Sequence, residues 1–144
     1  MEMRDRIKEG LAGKIKDWHE QSARRVYFSV EKGDVYKSAE FIFRQLGLRF
    51  STATCVDVAG GLEILYHFSF DKAGEMYSMR VLITDKKNPE VDSIAPLFRG
   101  AEWIEREIWE LFGVNFKGHP DLRRLLLADE WPEGNYPLRK KNEP

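Results

Sequence analysis

Residues 62–70, LEILYHFSF, decide the fold, because apolar and polar side chains alternate along them. A period of two is typical of a β-strand with one buried face and one exposed face. Residues 77–83, YSMRVLI, alternate in the same way, and the loop DKAGE (71–75) between the two stretches is short enough for antiparallel neighbours. We therefore predict an antiparallel pair of strands. The apolar side chains of its first strand are Leu62, Ile64, Tyr66, Phe68 and Phe70.

Further strands and helices precede this pair. Residues 50–58 are rich in β-branched side chains and predict a third strand, joined to the first pair by Gly60-Gly61, while residues 25–30 alternate and predict a fourth. Apolar residues at helical spacing predict an amphipathic first helix and a second helix that Asp34 caps and Gly47 ends. These positions are Ile7, Leu11, Ile15 and Trp18 in the first helix, and Val35, Ala39, Ile42 and Leu46 in the second.

The pattern changes from Lys86 onward. The stretch KKNPEVDS predicts a loop, and Ser93 is expected to cap a short turn that ends at Gly100. Residues 101–112 predict a helix, with Gly113 as its end. The inward side chains of this helix are predicted to be Ile104, Ile108, Leu111 and Phe112.

The order of elements predicts an α+β fold. Its helices pack on one face of a small mixed or antiparallel sheet, followed by a helix and an extended, irregular C-terminal tail. We divide the chain into an α+β domain (1–113) and an extended partner-binding tail (114–144). A tail with few regular signals more often lies along a partner or stays mobile than folds alone.

Composition excludes several classes of protein. Of the 144 residues, 42% are hydrophobic, which is typical of a globular domain, and the net charge of −1 gives no general attraction to nucleic acid or anionic lipid. The one cysteine, Cys55, cannot supply the several thiolates that an iron–sulfur cluster needs. Since the N-terminus is charged and no apolar run reaches the ~20 residues that span a bilayer, we expect a soluble protein.

The acidic residues of the last helix allow two interpretations. Glu102, Glu105, Glu107 and Glu110, with Arg106 one turn before Glu110, could form a catalytic Glu–Arg site. Spacing alone favours a solvated helix face with weak ion pairs between residues four apart. From spacing we therefore expect these side chains to face solvent.

The remaining candidates for catalytic, metal-ligating or RNA-binding residues are weak. His119 could be a general base or a metal ligand, but His19, His67 and His119 share no ligand spacing, so a turn or an interface contact is favoured for His119. Cys55 lies in a strand-like stretch with no paired base, which favours a core position. The basic clusters at 123–124 and 139–141 lack the aromatic signature of RNA-binding sheets.

The region from 103 to 124 is instead rich in the residue types that occur at protein interfaces. Aromatic and arginine side chains are enriched there. We therefore predict a docking surface formed by Trp103, Trp109, Phe112, Phe116, Arg106, Arg123 and Arg124.

Residues 105–107 (ERE), 110–113 (ELFG) and 118–126 (GHPDLRRLL) closely resemble the signature of one family. It is the 30 kDa (C-type) NADH dehydrogenase subunit of respiratory complex I, with its counterparts in membrane-bound nickel–iron hydrogenases. Gly134 and residues 137–140 (PLRK) resemble a later segment of the family, although Lys141 stands where aspartate is common. The short chain resembles the archaeal or hydrogenase branch more than the longer respiratory members.

The resemblance implies a structural role in a complex. Members of the family are peripheral subunits of an ion-translocating oxidoreductase on the cytoplasmic side of the cell membrane. They bind the large hydrogenase-like (49 kDa-type) subunit near the iron–sulfur small subunit and carry no cofactor. The iron–sulfur clusters, and a nickel–iron centre or a quinone, belong to the partner subunits, so the membrane is contacted only through the complex.

The signature also implies which residues act in docking. We expect residues 105–107 to order the helix, and Asp121, Arg123 and Arg124 to make charge-assisted contacts within the fold or to the partner. The alternatives are a stand-alone α+β enzyme that uses Glu107 and His119, or an RNA-binding sheet module. The interface residues implied by the signature are Glu105, Arg106, Glu107, Glu110, Phe112, Gly113, His119, Pro120, Asp121, Arg123, Arg124 and Arg139.

Overall fold

The computed structural model describes residues 1–140, so Lys141 and the end of the predicted tail lie outside the described residues. Five strands form a mixed sheet, and they are β1 (Lys16–Ser22), β2 (Arg25–Ser29), β3 (Arg49–Val58), β4 (Gly61–Phe70) and β5 (Glu75–Ile83). Their order in the sheet is β1-β2-β5-β4-β3. Strands β2 and β5 run parallel, and the other neighbours are antiparallel. The predicted α+β class is confirmed.

Three α-helices and a short second sheet complete the described part of the chain. Their bounds are α1 (Met3–Gly10), α2 (Val35–Glu40), β6 (Glu90–Asp92), α3 (Arg99–Phe112) and β7 (Asn115–Lys117). A 3₁₀ turn (Lys32–Asp34) precedes α2 and a π-helical turn (Phe41–Gln45) follows it. The two three-residue strands, β6 and β7, pair in parallel.

The first predicted helix is too long. Helix α1 ends at Gly10, and residues 16–22 form the edge strand β1 rather than the last helical turns. Gly13, three residues beyond the end of α1, has a φ of +84°, which is not compatible with a continuing α-helix. Ile15 and Trp18 nevertheless pack against the core, and the Trp18 ring stacks on Phe28 with ring centres 5.5 Å apart. Helical spacing therefore arose from residues that reach one core from a helix, a turn and a strand.

Two predicted helix signals also need correction. Asp34 makes no capping hydrogen bond with its side chain, because it ends a 3₁₀ turn and does not have the extended backbone of a capping residue. Ser93 does accept a hydrogen bond from the Ala95 backbone, but Gly100 lies inside α3, which begins at Arg99. Gly113, with a φ of +84°, ends α3 as predicted.

The folded unit extends past the predicted boundary at residue 113. Val114 and Phe116 are buried in the hydrophobic core, and β7 pairs with β6. The core lies between one face of the sheet and the helices, and α3 packs against it with Ile108 and Phe112. Residues 114–117, which follow α3, are therefore held against the rest of the domain.

Candidate functional site

Helix α3 buries charged side chains that the spacing placed in solvent. Glu105 is 1% exposed, Arg106 is 7% exposed and Glu110 is 3% exposed. The interpretation of a solvated helix face is therefore wrong for these three residues, although Glu107 is only half-buried. Charged side chains are rarely buried without partners.

Arg106 and Glu110 bind the backbone of the segment that crosses α3. Arg106 donates two hydrogen bonds to the carbonyl oxygens of residues 123–124, at 2.9 and 2.6 Å. The Glu110 carboxylate accepts from the three N–H groups of residues 125–127, at 2.8, 2.6 and 3.3 Å. Backbone groups of a segment without regular structure are thus satisfied by charge-assisted bonds. We call residues 123–127 the clamped segment.

The two neighbouring arginines of the clamped segment have different surroundings. Arg124 donates to three further carbonyl oxygens, those of Ala128 (2.7 Å), Asp129 (2.9 Å) and Trp131 (2.5 Å). It therefore holds the next turn of the chain. Arg123 pairs with Asp121 at 2.7 Å in solvent, where an ion pair contributes little.

The signature arginine near the end of the chain anchors the tail. Arg139 donates to the carbonyl oxygens of Phe112 (2.6 Å) and Lys86 (2.7 Å), and its guanidinium lies 5.3 Å from the ring centre of Tyr136. It satisfies the last carbonyl of α3, where a cation also complements the helix dipole. The tail therefore returns to its own domain.

Asp57 fixes the same end of the tail from the sheet. Its side chain is 4% exposed, pairs with Lys86 Nζ at 2.6 Å and accepts the Lys140 N–H at 2.9 Å. Burial alone raises the pKa of Asp57, but the hydrogen bonds from Lys86 and Lys140 leave it below its usual value. Asp57 was not among the residues that the sequence singled out.

Both ring nitrogens of His119 form hydrogen bonds within the protein. Its side chain is 1% exposed, Nδ1 accepts the Asp121 N–H at 2.9 Å, and Nε2 lies 2.9 Å from the Glu102 carbonyl oxygen. These contacts require the tautomer with the proton on Nε2. The carboxylate in contact with His119 is that of Glu105, at 4.0 Å, and not that of Glu107. Glu107 is not among the residues that contact the His119 side chain within residues 1–140.

Glu105 ties α3 to the turn after β6. One carboxylate oxygen accepts the Ser93 hydroxyl at 2.5 Å and the other accepts the Ile94 N–H at 2.9 Å. Burial raises the pKa of Glu105 to about 7, although the hydrogen bonds from this turn act in the opposite direction. The group therefore titrates near neutral pH.

The raised pKa of Glu105 predicts a pH-dependent stability. The folded state holds the proton more tightly than the unfolded chain, so this contribution is complete below pH 4.5 and is lost as the pH rises to about 7. The loss is about 3 kcal/mol, since each tenfold change in proton affinity corresponds to about 1.4 kcal/mol. Urea unfolding of the wild type and of Glu105→Gln between pH 4 and 8 measures it. We expect the difference between the two proteins to change by that amount, and a constant difference would contradict the assignment.

Within residues 1–140, no cluster of three or more His, Cys, Asp and Glu side chains is arranged to hold a metal ion. Burial raises the pKa of the Cys55 thiol to about 12, so it is a poor nucleophile. No helix among the described residues is long and apolar enough to cross a membrane.

Residues 28–144 match the family described as the respiratory-chain NADH dehydrogenase 30 kDa subunit. The C-type subunit of NADH-quinone oxidoreductase from Chloroherpeton thalassium is 34% identical over 140 residues, which cover 93% of this chain and 57% of that protein. Its counterpart from Chelativorans sp. is 35% identical, covering 93% and 68% respectively. The C/D-type subunit from Bacteroides thetaiotaomicron is 38% identical over 84 residues. The chain thus spans 57% of the Chloroherpeton relative and 16% of the Bacteroides relative.

Two solved structures share the fold. A chain of an archaeal membrane-bound sulfane sulfur reductase superposes with a TM-score of 0.84 at 22% identity, covering 95% of this chain and 81% of that one. A trypsin-resistant fragment of Nqo5 superposes with a TM-score of 0.69 at 19% identity, covering 85% of this chain and all of the fragment. At these identities the likeness concerns the fold.

Proposed function

Because the chain belongs to the 30 kDa subunit family of the respiratory-chain NADH dehydrogenase, we propose that it is a non-catalytic subunit of a membrane-associated oxidoreductase complex. The complex is of the NADH:quinone oxidoreductase type or the membrane-bound hydrogenase type. In this proposal the chain binds no cofactor itself. The iron–sulfur clusters, and a nickel–iron centre or a quinone, lie in partner subunits.

The observation that carries the proposal is the exposure of large apolar side chains along α3 and the tail. Trp103 and Leu126 are each 62% exposed and Leu138 is 53% exposed. Leu126 lies in the clamped segment, and Leu138 donates its N–H to the Leu111 carbonyl oxygen at 3.1 Å. Large apolar side chains on a fixed backbone favour docking, because little conformational entropy is lost on binding. We call these three side chains the docking triad.

A cavity beside the clamped segment supports the same role. It has a volume of about 370 Å³ and lies between α3 and the tail. Its walls include Trp109, Trp131 and Tyr136, and the charged groups of Glu110 and Arg124 also line it. Aromatic pockets of this kind accept the anchor side chains that dominate protein interfaces.

We infer that the partner at this surface is the large hydrogenase-like, 49 kDa-type subunit, close to the iron–sulfur small subunit. The membrane is then contacted only through the complex, with the chain in the peripheral arm on the cytoplasmic side. The names of the sequence relatives, as subunits of NADH-quinone oxidoreductases, support a place among the subunits of such a complex.

The test is affinity purification of the tagged chain from gently solubilised membranes of its own host. We expect mass spectrometry to identify a hydrogenase-like large subunit and an iron–sulfur subunit. The variant Trp103→Ala/Leu126→Ala is expected to reduce their recovery at least about tenfold, since tryptophan side chains such as Trp103 are enriched among interface hot spots.

The matched control is Val56→Ala/Leu82→Ala. These two side chains are 46% and 43% exposed, but they lie on the strands β3 and β5. Their replacement is expected to leave recovery unchanged. Equal losses in both variants, or recovery of the wild-type chain without the two subunits, would argue against docking through α3 and the tail.

A further inference from the structure

A polar row crosses the face of the sheet that is turned away from the core. Thr52 of β3 pairs with His67 of β4, His67 pairs with Ser78 of β5, and Ser78 pairs with Tyr27 of β2. The neighbours of His67 and Ser78 along their strands, such as Tyr66 and Tyr77, are fully buried in the core. Because side chains alternate along strands, the row faces the opposite side.

A cavity of about 210 Å³ opens at this row. Ser78 is only 2% exposed, and its hydroxyl oxygen lies 2.7 Å from His67 Nδ1. Strand β3 is irregular between Phe50 and Thr52, and such bulges redirect side chains and open space beside a strand. The four residues of the row line the cavity together with Arg25, Ser51 and Met76.

His67 connects two hydroxyl groups across three strands. Its Nδ1 lies 2.7 Å from Ser78 Oγ and its Nε2 lies 3.2 Å from Thr54 Oγ1. Burial lowers the pKa of His67, so the ring is neutral near neutral pH and has two possible tautomers. With the proton on Nδ1, the ring donates to Ser78. The Ser78 hydroxyl then has its own proton free for a group in the cavity.

The charge of the cavity wall selects an anion. Arg25 is exposed and makes no ion pair or side-chain hydrogen bond within residues 1–140, whereas Arg80 on the same face pairs with Glu63 at 3.4 Å. Among the described residues that line the cavity, none carries a carboxylate. A guanidinium that has no partner and several hydroxyl groups thus converge on one small space.

We propose that this cavity binds a carboxylate group, with Arg25 forming the ion pair and Ser78 donating a hydrogen bond. A planar carboxylate matches the two parallel donors of a guanidinium, and its single negative charge matches the single cation in the wall. The carboxylate comes from the side chain of a protein or peptide, or from a small free acid. The site is independent of docking through α3.

The test uses the full chain labelled with ¹⁵N-histidine and titrated with sodium acetate at constant ionic strength. Long-range ¹H–¹⁵N spectra report which ring nitrogen of His67 carries the proton. We expect a saturable shift of the His67 signals toward the tautomer with the proton on Nδ1. Arg25→Gln is expected to weaken acetate binding about tenfold, which is the low end for a charge-assisted hydrogen bond.

Arg24→Gln is the matched control, because the neighbouring Arg24 is also exposed but is not among the residues that line the cavity. It is expected to bind acetate like the wild type. A blocked Gly-Glu-Gly tripeptide that binds more tightly than acetate would identify a peptide side chain as the source, and weaker binding would identify a small acid. The proposal is overturned if acetate causes no saturable shift, if Arg25→Gln binds as well as the wild type, or if phosphate binds equally well.

Discussion

Replacing Glu110 with alanine is expected to lower the free energy of unfolding by about 3–5 kcal/mol. The carboxylate accepts three backbone N–H groups of the clamped segment, and each such bond to a charged acceptor contributes about 1.5–3 kcal/mol. The sum exceeds the expected loss, because the segment can leave α3 and expose its N–H groups to water. Urea unfolding followed by tryptophan fluorescence measures the loss.

Hydrogen exchange locates the effect of Glu110→Ala. The amides of residues 125–127 are expected to exchange much faster, while those of β4 and β5 change only as global stability falls. Glu107→Ala is the matched control, because Glu107 is half-buried on the same helix and makes none of these bonds. If Glu107→Ala were as destabilising, or if the amides of residues 125–127 stayed protected in Glu110→Ala, the clamp would not hold the segment.

Gly61→Ala is expected to destabilise the fold by more than about 3 kcal/mol. Gly61 has a φ of +153°, and a Cβ atom there would lie 2.1 Å from the Ile83 carbonyl oxygen. This contact is with backbone of the neighbouring strand, so no side-chain rotation relieves it, and a strained backbone alone costs roughly 1–3 kcal/mol. Thermal unfolding followed by circular dichroism measures the change.

Gly60→Ala is the control for Gly61→Ala. A Cβ atom on Gly60 would lie 3.6 Å from a Leu82 methyl group, which is an ordinary van der Waals contact. Its effect is expected to stay below about 1 kcal/mol, as for most surface substitutions. If both variants melted at the same temperature, the close approach of β4 to β5 would not explain why position 61 requires glycine.

The central strands could be predicted from the sequence, because apolar and polar residues that alternate over nine positions indicate a strand with one buried face. The turn at Gly60-Gly61 was also correct, although only the structure shows that Gly61 is the glycine that the ladder requires. Strand β1 was missed because Ile15 and Trp18 continue the helical spacing by chance. Strands β6 and β7 have three residues each, which is too short for any period.

The signature residues were found from the sequence, but their environment was not. Charged residues four apart predict a solvated face, and nothing in that spacing reveals that the partners of Arg106 and Glu110 are backbone groups 15–18 residues away. Asp57 was missed for a related reason. Its partner in the tail is the N–H of Lys140, which any residue except proline would supply equally.

The hydrogen bonds from Arg106 and Glu110 fix the backbone path of the clamped segment without involving its side chains. Arg106 and Glu110 hold the clamped segment by its carbonyl and N–H groups, so they place no demand on the side chains of residues 125–127 beyond the exclusion of proline. Leu126, which is 62% exposed, can be exchanged for other residues while the backbone keeps its course. A surface built in this way can be adapted to a new neighbour by substitution alone, without redesign of the scaffold that presents it.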